Sequence, residues 1–214
     1  MAEIIITGAS GFIGSELLKN LKKNKFNVKG YSRKKIKGIN YIKDYNQIKA
    51  NKNKILVHLA QNSKITNALM DEEIRNNISL SKKLSNKQWM HIIYISSSNI
   101  YKSSEKINNE NSHISLKRND YNKIKIESEK IFNKSKSTIF RLSNVYGKNM
   151  SNNSLFKEII SQIYKKNKII VKDIRPIRDY IFINDVIDAI KISIKNKTPG
   201  IYNLSYGKSY SVKY

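Results

Sequence analysis

The chain has 214 residues, of which 41 are Lys or Arg and 16 are Asp or Glu, giving a formal net charge of +25. This length suits one domain with a single sizeable core. The sequence has no cysteine, which excludes disulfides, thiolate nucleophiles and thiolate metal ligands. No apolar run approaches the ~20 residues of a membrane span. Because Met1-Ala2-Glu3 leads directly into a strand-like run, we expect no signal peptide and a cytoplasmic protein.

The positive charge first suggests a nucleic-acid partner, because a basic face releases counterions from a polyanion. Nearly all the basic residues are lysines, however, and they are dispersed along the chain among Ile and Asn. We therefore expect a solvated basic surface and no nucleic-acid partner. Such a surface would still steer small anionic substrates towards the protein.

Apolar, strand-like runs alternate with helical stretches along the chain. In chain order, the predicted elements are a strand at Glu3–Ile6, a helix at Ser15–Lys23, strands at Asn27–Tyr31 and Ile55–Leu59, a helix at Asp71–Leu84, a strand at His91–Ile95, a helix from near Tyr121 and a strand at Thr138–Leu142. Crossovers between parallel strands must pass over the sheet, so this alternation predicts an α/β fold with a doubly wound parallel sheet. The polar stretch Ser103–Asn119 predicts a surface loop.

A glycine-rich turn follows the first predicted strand and reads Thr7-Gly8-Ala9-Ser10-Gly11-Phe12-Ile13-Gly14. Its three glycines allow, in order, a tight turn, a close approach of the backbone to a pyrophosphate, and close packing of helix on strand. Free N–H groups and the dipole at the start of the next helix favour the anion. The strand before and the helix after this turn predict a dinucleotide cradle, to which we assign Gly8, Ser10, Gly11, Phe12, Ile13 and Gly14.

The end of the second predicted strand bears on which dinucleotide binds. An acidic side chain there would bind the ribose 2′-hydroxyl, whereas a basic one would accept a 2′-phosphate. The segment Tyr31-Ser32-Arg33-Lys34 contains no carboxylate. It favours NADP(H) over NAD(H), with Ser32 and Arg33 on the phosphate. The alternative is that Arg33 and Lys34 belong to the general surplus of basic surface residues.

Tyr121 and Lys125 lie one helical turn apart on the same face of a predicted helix. A free tyrosine has a pKa of about 10, too high for a base at neutral pH, so a nearby cation must stabilise the phenolate. We expect Lys125 to supply that cation. Chance matches to this spacing are expected in a chain with 13 tyrosines. The prediction of a hydride-transfer site therefore depends on the order of the glycine turn, Ser96-Ser97-Ser98 and this pair.

With these signals in this order, the chain resembles the extended short-chain dehydrogenase/reductase family, which comprises the nucleotide-sugar epimerases, dehydratases and reductases. The resemblance runs over almost the whole chain and further includes His58-Leu59-Ala60, Asn77, Ser96–Tyr101, Arg141–Gly147 and Arg178-Asp179-Tyr180. It implies a Rossmann-like domain over residues 1–214. It also implies a homodimer formed through the helices that hold Asn77 and Tyr121.

The resemblance assigns catalysis to Ser97, Tyr121 and Lys125. Ser97 and Tyr121 would hold the substrate oxygen, Tyr121 would transfer the proton, and Lys125 would also bind the nicotinamide ribose. Asp44 would contact the adenine amine. The further cofactor contacts implied are Leu59, Ala60 and Asn77.

The same resemblance implies a nucleotide-sugar substrate and no metal. Ser98 and Asn99 follow the catalytic serine on the substrate side. Asn144 and Arg178 correspond to residues that approach the substrate diphosphate, where a guanidinium fork suits paired phosphate oxygens. The substrate side, about 144–178 and 200–214, is short compared with the family. Its pocket is expected to be truncated, minimal or completed by a partner.

Three functions remain open from the sequence. The family's dehydratases carry an Asp-Glu pair where this chain has Ser98 and Asn99, which disfavours dehydration. Arg33 favours reduction of an NDP-4-keto sugar with NADPH, and the main alternative is 4-epimerisation of a nucleotide sugar through a transient ketone. An NADP(H)-sensing binding module is the non-enzymatic alternative, and the intact Ser97, Tyr121 and Lys125 argue against it.

Overall fold

A computed structural model describes residues 2–61, 70–102, 107–115, 120–151, 154–163, 168–171 and 173–211. Strands and helices alternate along most of this chain. The elements are β1 (Glu3–Thr7), α1 (Phe12–Lys23), β2 (Val28–Ser32), β3 (Asn40–Tyr41), β4 (Lys54–His58), α2 (Met70–Ser85), β5 (His91–Ser97), α3 (Asp120–Phe132), β6 (Ser137–Leu142), β7 (Asn144–Tyr146), α4 (Leu155–Ile163), β8 (Ile177–Phe182), α5 (Ile183–Asn196), β9 (Gly200–Leu204) and β10 (Ser209–Ser211).

Seven of the strands form one sheet in the order β3-β2-β1-β4-β5-β6-β9. Every pairing in it is parallel, so the predicted doubly wound α/β fold is confirmed. The chain adds β2 and β3 on one side of β1 and then crosses to add β4 on the other. In open parallel sheets, ligands bind outside the carboxyl ends of the strands at such a switch point.

The sheet is covered on both faces, and each face has its own hydrophobic core. In β1, Ile4 and Ile6 pack in the core that contains the apolar side chains of α1 and α5, whereas Ile5 packs in the core that contains Leu84 of α2 and Phe132 of α3. Successive strand side chains point to opposite faces. A continuous apolar run is therefore what a doubly covered strand requires.

A second sheet of three strands, in the order β10-β8-β7, lies on the predicted substrate side. β7 and β8 pair in parallel with Asn144 opposite Tyr180, and β10 pairs antiparallel to β8 with Tyr210 opposite Arg178. Asn144, Arg178, Tyr180 and Tyr210 therefore share one face of this sheet. No residue of α4, the helix beside this sheet, is buried.

The sequence left several of these elements without a prediction. The helices α4 and α5 and the strands β3, β7, β8, β9 and β10 were not predicted, and α1 begins at Phe12, before the expected Ser15. Of the predicted loop, residues 107–115 contain one isolated bridge, between Ile114 and Tyr101, while 103–106 and 116–119 lie outside the described residues. Within the described part of the chain, no helix is both long enough and apolar enough to cross a membrane.

Candidate active site

A cavity of about 280 Å³ opens beside the switch point of the large sheet. Predicted cofactor-binding and catalytic residues from the ends of several strands and helices meet around it. Its lining consists of Gly8, Gly11, Phe12, Ile13, Gly14, Leu59, Ile95, Ser96, Ser97, Tyr121, Lys125, Leu142, Ser143 and Val145.

The glycine turn forms one wall of this cavity and leaves no room for side chains. Gly8 has a φ of +71°, and a Cβ atom there would lie 2.8 Å from the Leu59 carbonyl carbon. A Cβ atom on Gly14 would lie 2.3 Å from the Gly8 carbonyl oxygen. Gly11 caps α1 without a side-chain hydrogen bond, and the first turn of α1 holds no acidic residue. The uncapped N–H groups of this helix therefore fit a dinucleotide pyrophosphate.

The predicted adenosine end of the site is built from β2 and the glycine turn. The Ser32 hydroxyl donates a 2.9 Å hydrogen bond to the Ser10 hydroxyl. The Gly8 N–H donates to the Tyr45 hydroxyl at 3.3 Å, and the guanidinium carbon of Arg33 lies 5.9 Å from the centre of the Tyr45 ring. Tyr45 thus joins the glycine turn to Arg33, a connection for which the sequence held no signal.

The remaining predicted cofactor contacts have structural partners within the protein. The Asp44 carboxylate accepts a 2.8 Å hydrogen bond from the Asn46 N–H and caps a short 3₁₀ turn. The backbone at Leu59 and Ala60 packs against Gly8. The Asn77 side chain donates to the Glu73 carbonyl within α2 at 2.7 Å. Cofactor binding by Asp44, Ala60 and Asn77 stays a prediction.

Ser97, Tyr121 and Lys125 converge on the cavity, as the sequence predicts. Ser97 ends β5, and its hydroxyl is hydrogen-bonded to the Tyr121 side chain. The ammonium nitrogen of Lys125 lies 5.5 Å from the centre of the Tyr121 ring. The same nitrogen donates a 2.7 Å hydrogen bond to the Ile95 carbonyl. The arrangement can hold a substrate oxygen between a serine and a tyrosine, with a lysine behind the tyrosine.

Burial dominates the protonation of this pair. Burial raises the pKa of Tyr121 above its ordinary value, although the hydrogen bond from Ser97 opposes that rise. Burial lowers the pKa of Lys125 to about 7, with the charge of Glu129 acting in the opposite direction. In the protein alone, burial therefore opposes the effect expected of Lys125, because removing both side chains from water disfavours their charged forms. That Lys125 makes Tyr121 acidic stays a prediction.

Two serines that the sequence did not single out as cofactor contacts also face this cavity. The hydroxyls of Ser96 and Ser143 are buried in its lining, and neither has a hydrogen-bond partner among the described residues. Buried hydroxyls in folded proteins almost always have a partner. Both serines therefore fit a polar ligand in the cavity. Their only sequence signal was their position beside Ser97 and Asn144.

The predicted substrate residues lie on two different parts of the molecule. Ser98 and Asn99 form a 3₁₀ turn directly after Ser97, and the Asn122 side chain donates to the Asn99 carbonyl at 2.8 Å. Asn144 donates to the Asp179 carbonyl at 3.0 Å. Asn144 and Arg178 share the face of the small sheet, and neither lines the 280 Å³ cavity.

A second cavity, of about 430 Å³, lies on the substrate side. Aromatic side chains dominate it, and the rings of Tyr146 and Phe156 stack 4.7 Å apart. Tyr180 and Tyr210, which share a sheet face with Asn144 and Arg178, also line it. The full lining is Tyr146, Leu155, Phe156, Ile159, Tyr180, Tyr206, Tyr210 and Ser211.

Comparisons with known proteins identify a family for this chain and solved structures with a similar fold. The model of the NAD dependent epimerase/dehydratase family matches residues 4–205. No curated protein matches the chain in sequence. Among solved structures, MoeE5 in complex with UDP-glucose and NAD is 20% identical with a TM-score of 0.84, and the match covers 99% of this chain and 78% of that one.

Two further structures are similar to a comparable extent. TunA, an NAD-dependent NDP-hexosamine 5,6-dehydratase involved in tunicamycin biosynthesis, is 20% identical with a TM-score of 0.82, covering 100% of this chain and 78% of its own. The UDP-glucuronic acid 4-epimerase from Bacillus cereus, in complex with UDP-glucuronic acid and NAD, is 21% identical with a TM-score of 0.81, covering 99% and 80%. At such identities the likeness shows the fold, and the family model supplies the membership: the chain belongs to the NAD-dependent epimerase/dehydratase family.

Proposed function

We propose that the protein is a nucleotide-sugar 4-epimerase that uses a bound nicotinamide dinucleotide. The observation that carries this proposal is the convergence of Ser97, Tyr121 and Lys125 on the cavity formed by the glycine turn. Membership of the family supports it, and so does the similarity to a UDP-sugar 4-epimerase. Reduction of an NDP-4-keto sugar, which the sequence favoured, has less support from these comparisons.

In this proposal each residue around the cavity has a defined task. A nicotinamide dinucleotide held by the glycine turn and Lys125 would supply a reversible hydride acceptor for the sugar C4. Ser97 holds the C4 oxygen by a hydrogen bond, and Tyr121 removes the proton from that oxygen and later returns it. Lys125 orients the nicotinamide ribose next to Tyr121. Because the sugar ketone can turn before it is reduced again, the same Tyr121 serves both halves of the reaction.

The substrate's nucleotide portion is proposed to lie along the small sheet. Asn144 and Arg178 would bind the diphosphate, since a planar guanidinium can pair with two phosphate oxygens. The aromatic cavity around Tyr146 and Phe156 adjoins them on the same sheet face. Neither Ser98 nor Asn99 can act as the acid/base pair that dehydration requires, so elimination is not proposed.

The identity of the dinucleotide is a separate part of the proposal. Relatives of this fold hold NAD, and we propose NAD(H) for this chain as well. The preference for NADP(H) predicted from Ser32 and Arg33 stays a prediction. Isothermal titration with NADH and with NADPH would decide it. Tighter NADPH binding that is lost in Arg33→Gln would support the 2′-phosphate site.

Two further hypotheses from the sequence can be tested by direct measurement. The homodimer predicted through the helices of Asn77 and Tyr121, α2 and α3, is tested by sedimentation equilibrium of the purified protein. The NADP(H)-sensing module is favoured over an enzyme only if the dinucleotide binds and no nucleotide sugar is turned over.

The decisive experiment incubates the purified protein with UDP-glucose, UDP-glucuronic acid or UDP-N-acetylglucosamine, together with catalytic NAD. We expect the 4-epimer to form, detected by proton NMR, without net change in the absorbance of reduced nicotinamide. Stoichiometric consumption of NADPH with a 4-keto sugar nucleotide would instead establish a reductase and overturn the proposal.

Replacement of the catalytic phenol tests the mechanism. We expect Tyr121→Phe to lower kcat by about 10²- to 10⁴-fold, the usual contribution of a positioned acid/base. NADH affinity should stay near that of the wild type, because the phenol hydroxyl is not needed to hold the dinucleotide. Tyr202→Phe is the matched control, since the Tyr202 hydroxyl donates to the Pro199 carbonyl on the exposed surface. A fully active Tyr121→Phe variant refutes the assigned role.

A further inference from the structure

The turn that follows β5 fixes the hydroxyl of Ser97. β5 ends at Ser97, and Ser98–Ile100 form a 3₁₀ turn directly after it. The Asn99 N–H donates a 3.2 Å hydrogen bond to the Ser97 hydroxyl oxygen, which thereby caps the turn. A serine hydroxyl has one proton and two lone pairs. Because Asn99 occupies one lone pair, the proton and the second lone pair of Ser97 stay available for Tyr121 and a substrate oxygen.

Asn122, the residue after Tyr121, holds the same turn from α3. Its Nδ2 atom donates a 2.8 Å hydrogen bond to the Asn99 carbonyl. Asn99 is therefore bound through both of its backbone groups, by Ser97 at the N–H and by Asn122 at the carbonyl. Only 6% of Asn122 is exposed, so water competes little for this contact.

These two contacts connect the segments that carry the proposed serine and tyrosine. Ser97 lies at the end of β5 and Tyr121 in the first turn of α3, and both line the 280 Å³ cavity. Asn122 is adjacent to Tyr121, and Asn99 is two residues from Ser97. The hydrogen bond between Asn122 and Asn99 therefore sets how the strand end and the helix meet where both hydroxyls must contact one substrate oxygen.

Asn122 itself does not reach the cavity. Successive helix residues lie about 100° apart around the axis, whereas residues four apart share a face. Tyr121 and Lys125 share the face that lines the cavity, and Asn122 is not part of that lining. It can therefore act on the reaction only through the turn that it holds.

The far end of this turn is held independently of Asn122. The Ser115 N–H donates to the Ile100 carbonyl at 2.8 Å, and the Ile100 side chain is fully buried. Loss of the Asn122 amide should therefore loosen the Ser97 end of the turn without unfolding the rest of it.

We propose that Asn122 is a positioning residue: by fixing the turn after β5, it keeps the Ser97 hydroxyl aligned with that of Tyr121. This role rests on the proposed function, because it affects turnover only if the two hydroxyls share a substrate oxygen. Without the amide, the Ser97 side chain would visit other rotamers, and fewer bound substrates would contact both hydroxyls. A misplacement of about 1 Å can cost about 10²-fold in rate.

The first test measures the turn itself and needs no substrate. Amide hydrogen exchange at Asn99 is followed by NMR, because this N–H is protected by its bond to Ser97. We expect the exchange rate to rise by about ten-fold or more in Asn122→Leu, which removes the donor at similar side-chain volume. Exchange at Ile93, in the core of β5, should change far less. Asn122→Ser, which shortens the side chain and removes the amide, gives the same measurement if the leucine variant does not fold.

The second test follows turnover of a nucleotide sugar that proves active. Asn122→Leu should lower kcat by about ten-fold or more, while KM and NADH affinity stay near the wild-type values because no ligand contact is removed. Asn24→Leu is the matched control, since the Asn24 Nδ2 atom also donates to a backbone carbonyl, that of Asn20, at 2.8 Å, but on the exposed surface at the end of α1. This control should leave kcat unchanged.

A double-mutant cycle separates positioning from general damage to the fold. In a Ser97→Ala background, Asn122→Leu should lower kcat by no more than about two-fold, because the hydroxyl that Asn122 positions is already gone. A variant that damaged the site in another way would lower kcat equally in both backgrounds.

The outcomes distinguish this inference from the proposed function. Unchanged Asn99 exchange in both Asn122 variants overturns the inference, as does an undiminished loss of kcat in the Ser97→Ala background or a raised KM with unchanged kcat. A wild-type protein that turns over no nucleotide sugar overturns the proposed function, whereas exchange at Asn99 still decides whether Asn122 holds the turn.

Discussion

The two sheets of this protein differ in what holds them together. In the large sheet, strands β1, β4, β5 and β6 lie between two hydrophobic cores, and their side chains are largely buried. In the small sheet, β8 and β10 are mostly exposed, and aromatic rings such as Tyr146, Phe156 and Tyr180 make the contacts. The dinucleotide cradle is built on the first, and the proposed nucleotide-sugar surface on the second. Burial is thus concentrated in the sheet that carries the cradle and the proposed catalytic residues.

A matched pair of phenylalanine replacements gives the largest expected contrast. Phe132 is fully buried, with the Tyr94 ring 4.9 Å away, whereas Phe156 is half-buried against Tyr146. We expect Phe132→Ala to lower the free energy of unfolding by about 3–5 kcal/mol. Phe156→Ala should cost only about 1–2 kcal/mol, roughly the value of its two aromatic contacts, with Tyr146 and Tyr180. Urea denaturation followed by Trp89 fluorescence measures both, and equal losses would contradict the comparison.

Glycine replacements sharpen the comparison at the level of binding. In Gly14→Ala the new Cβ atom would meet the Gly8 carbonyl oxygen at 2.3 Å, so the turn must move. We expect NADH affinity to fall by about 10²-fold or more, along with a stability loss of about 1–3 kcal/mol. Gly207→Ala is the control, because a Cβ atom there meets open space and only the positive φ of +89° would be strained. It should cost about 1 kcal/mol and leave NADH affinity unchanged; reduced affinity in this control would show that the sheets are coupled.

We also expect the loss of folding stability in acid to arise in the large sheet, whose strands β4 and β5 carry His58 and His91. Burial lowers the pKa of His58 to about 3 and that of His91 to about 4. Between the ordinary histidine pKa of about 6.5 and these values, the unfolded chain binds protons that the folded chain does not. Stability should therefore fall as pH falls below about 6.5, by up to about 1.4 kcal/mol per pH unit for each histidine.

Denaturation at a series of pH values between 7 and 4, about one unit apart, tests this dependence. His58→Asn should flatten the slope, because it removes one of the two buried imidazoles while an amide can still reach Thr7. The exposed His113 provides the control, and His113→Gln should leave the slope as it is. A slope that His58→Asn does not alter would show that other groups carry the acid sensitivity.

The sequence predicted the large sheet well because its strands are continuous apolar runs and its helices are amphipathic. All eight predicted elements are present, with boundaries shifted by a few residues. The missed strands are short or half-exposed, and β3 has only two residues. Such strands form because of the neighbours they pair with, which local composition does not show. Of the two missed helices, α4 and α5, the second did carry a signal, since Ile183, Val186, Ile187, Ile190 and Ile194 recur at helical spacing and are buried.

The same distinction holds within the candidate site. The glycine turn and the Tyr121–Lys125 pair are local patterns, so the sequence located them and the structure brings them to one cavity. The protonation of Lys125 depends on burial, and the spacing of two residues carries no information on burial. The hydrogen bond between Asn122 and Asn99 joins residues 23 positions apart on different elements, and only the packing of α3 against the turn after β5 reveals it.

The smallest expected effect concerns the proposed diphosphate contact on the small sheet. Arg178 is exposed on β8, and its strand neighbour across the sheet is Tyr210. Because solvent screens an exposed charge, one guanidinium contact there should add only modestly to substrate binding. We expect Arg178→Gln to raise the KM for an active nucleotide sugar by about ten-fold at low salt, with kcat unchanged, since the interaction is the same before and during reaction.

Arg175→Gln is the matched control for this change, because Arg175 is also an exposed arginine of the substrate side and already pairs with Asp173 at 2.8 Å. Its KM should stay within about two-fold of the wild-type value. Rising ionic strength should reduce the difference between wild type and Arg178→Gln, as expected for a screened ion pair. If Arg178→Gln lowers kcat instead, Arg178 takes part in the chemistry at the large-sheet cavity. The proposed separation of cofactor binding on the large sheet from substrate binding on the small sheet would then be wrong. If both arginine variants raise KM equally, the small sheet attracts the substrate through its general positive charge.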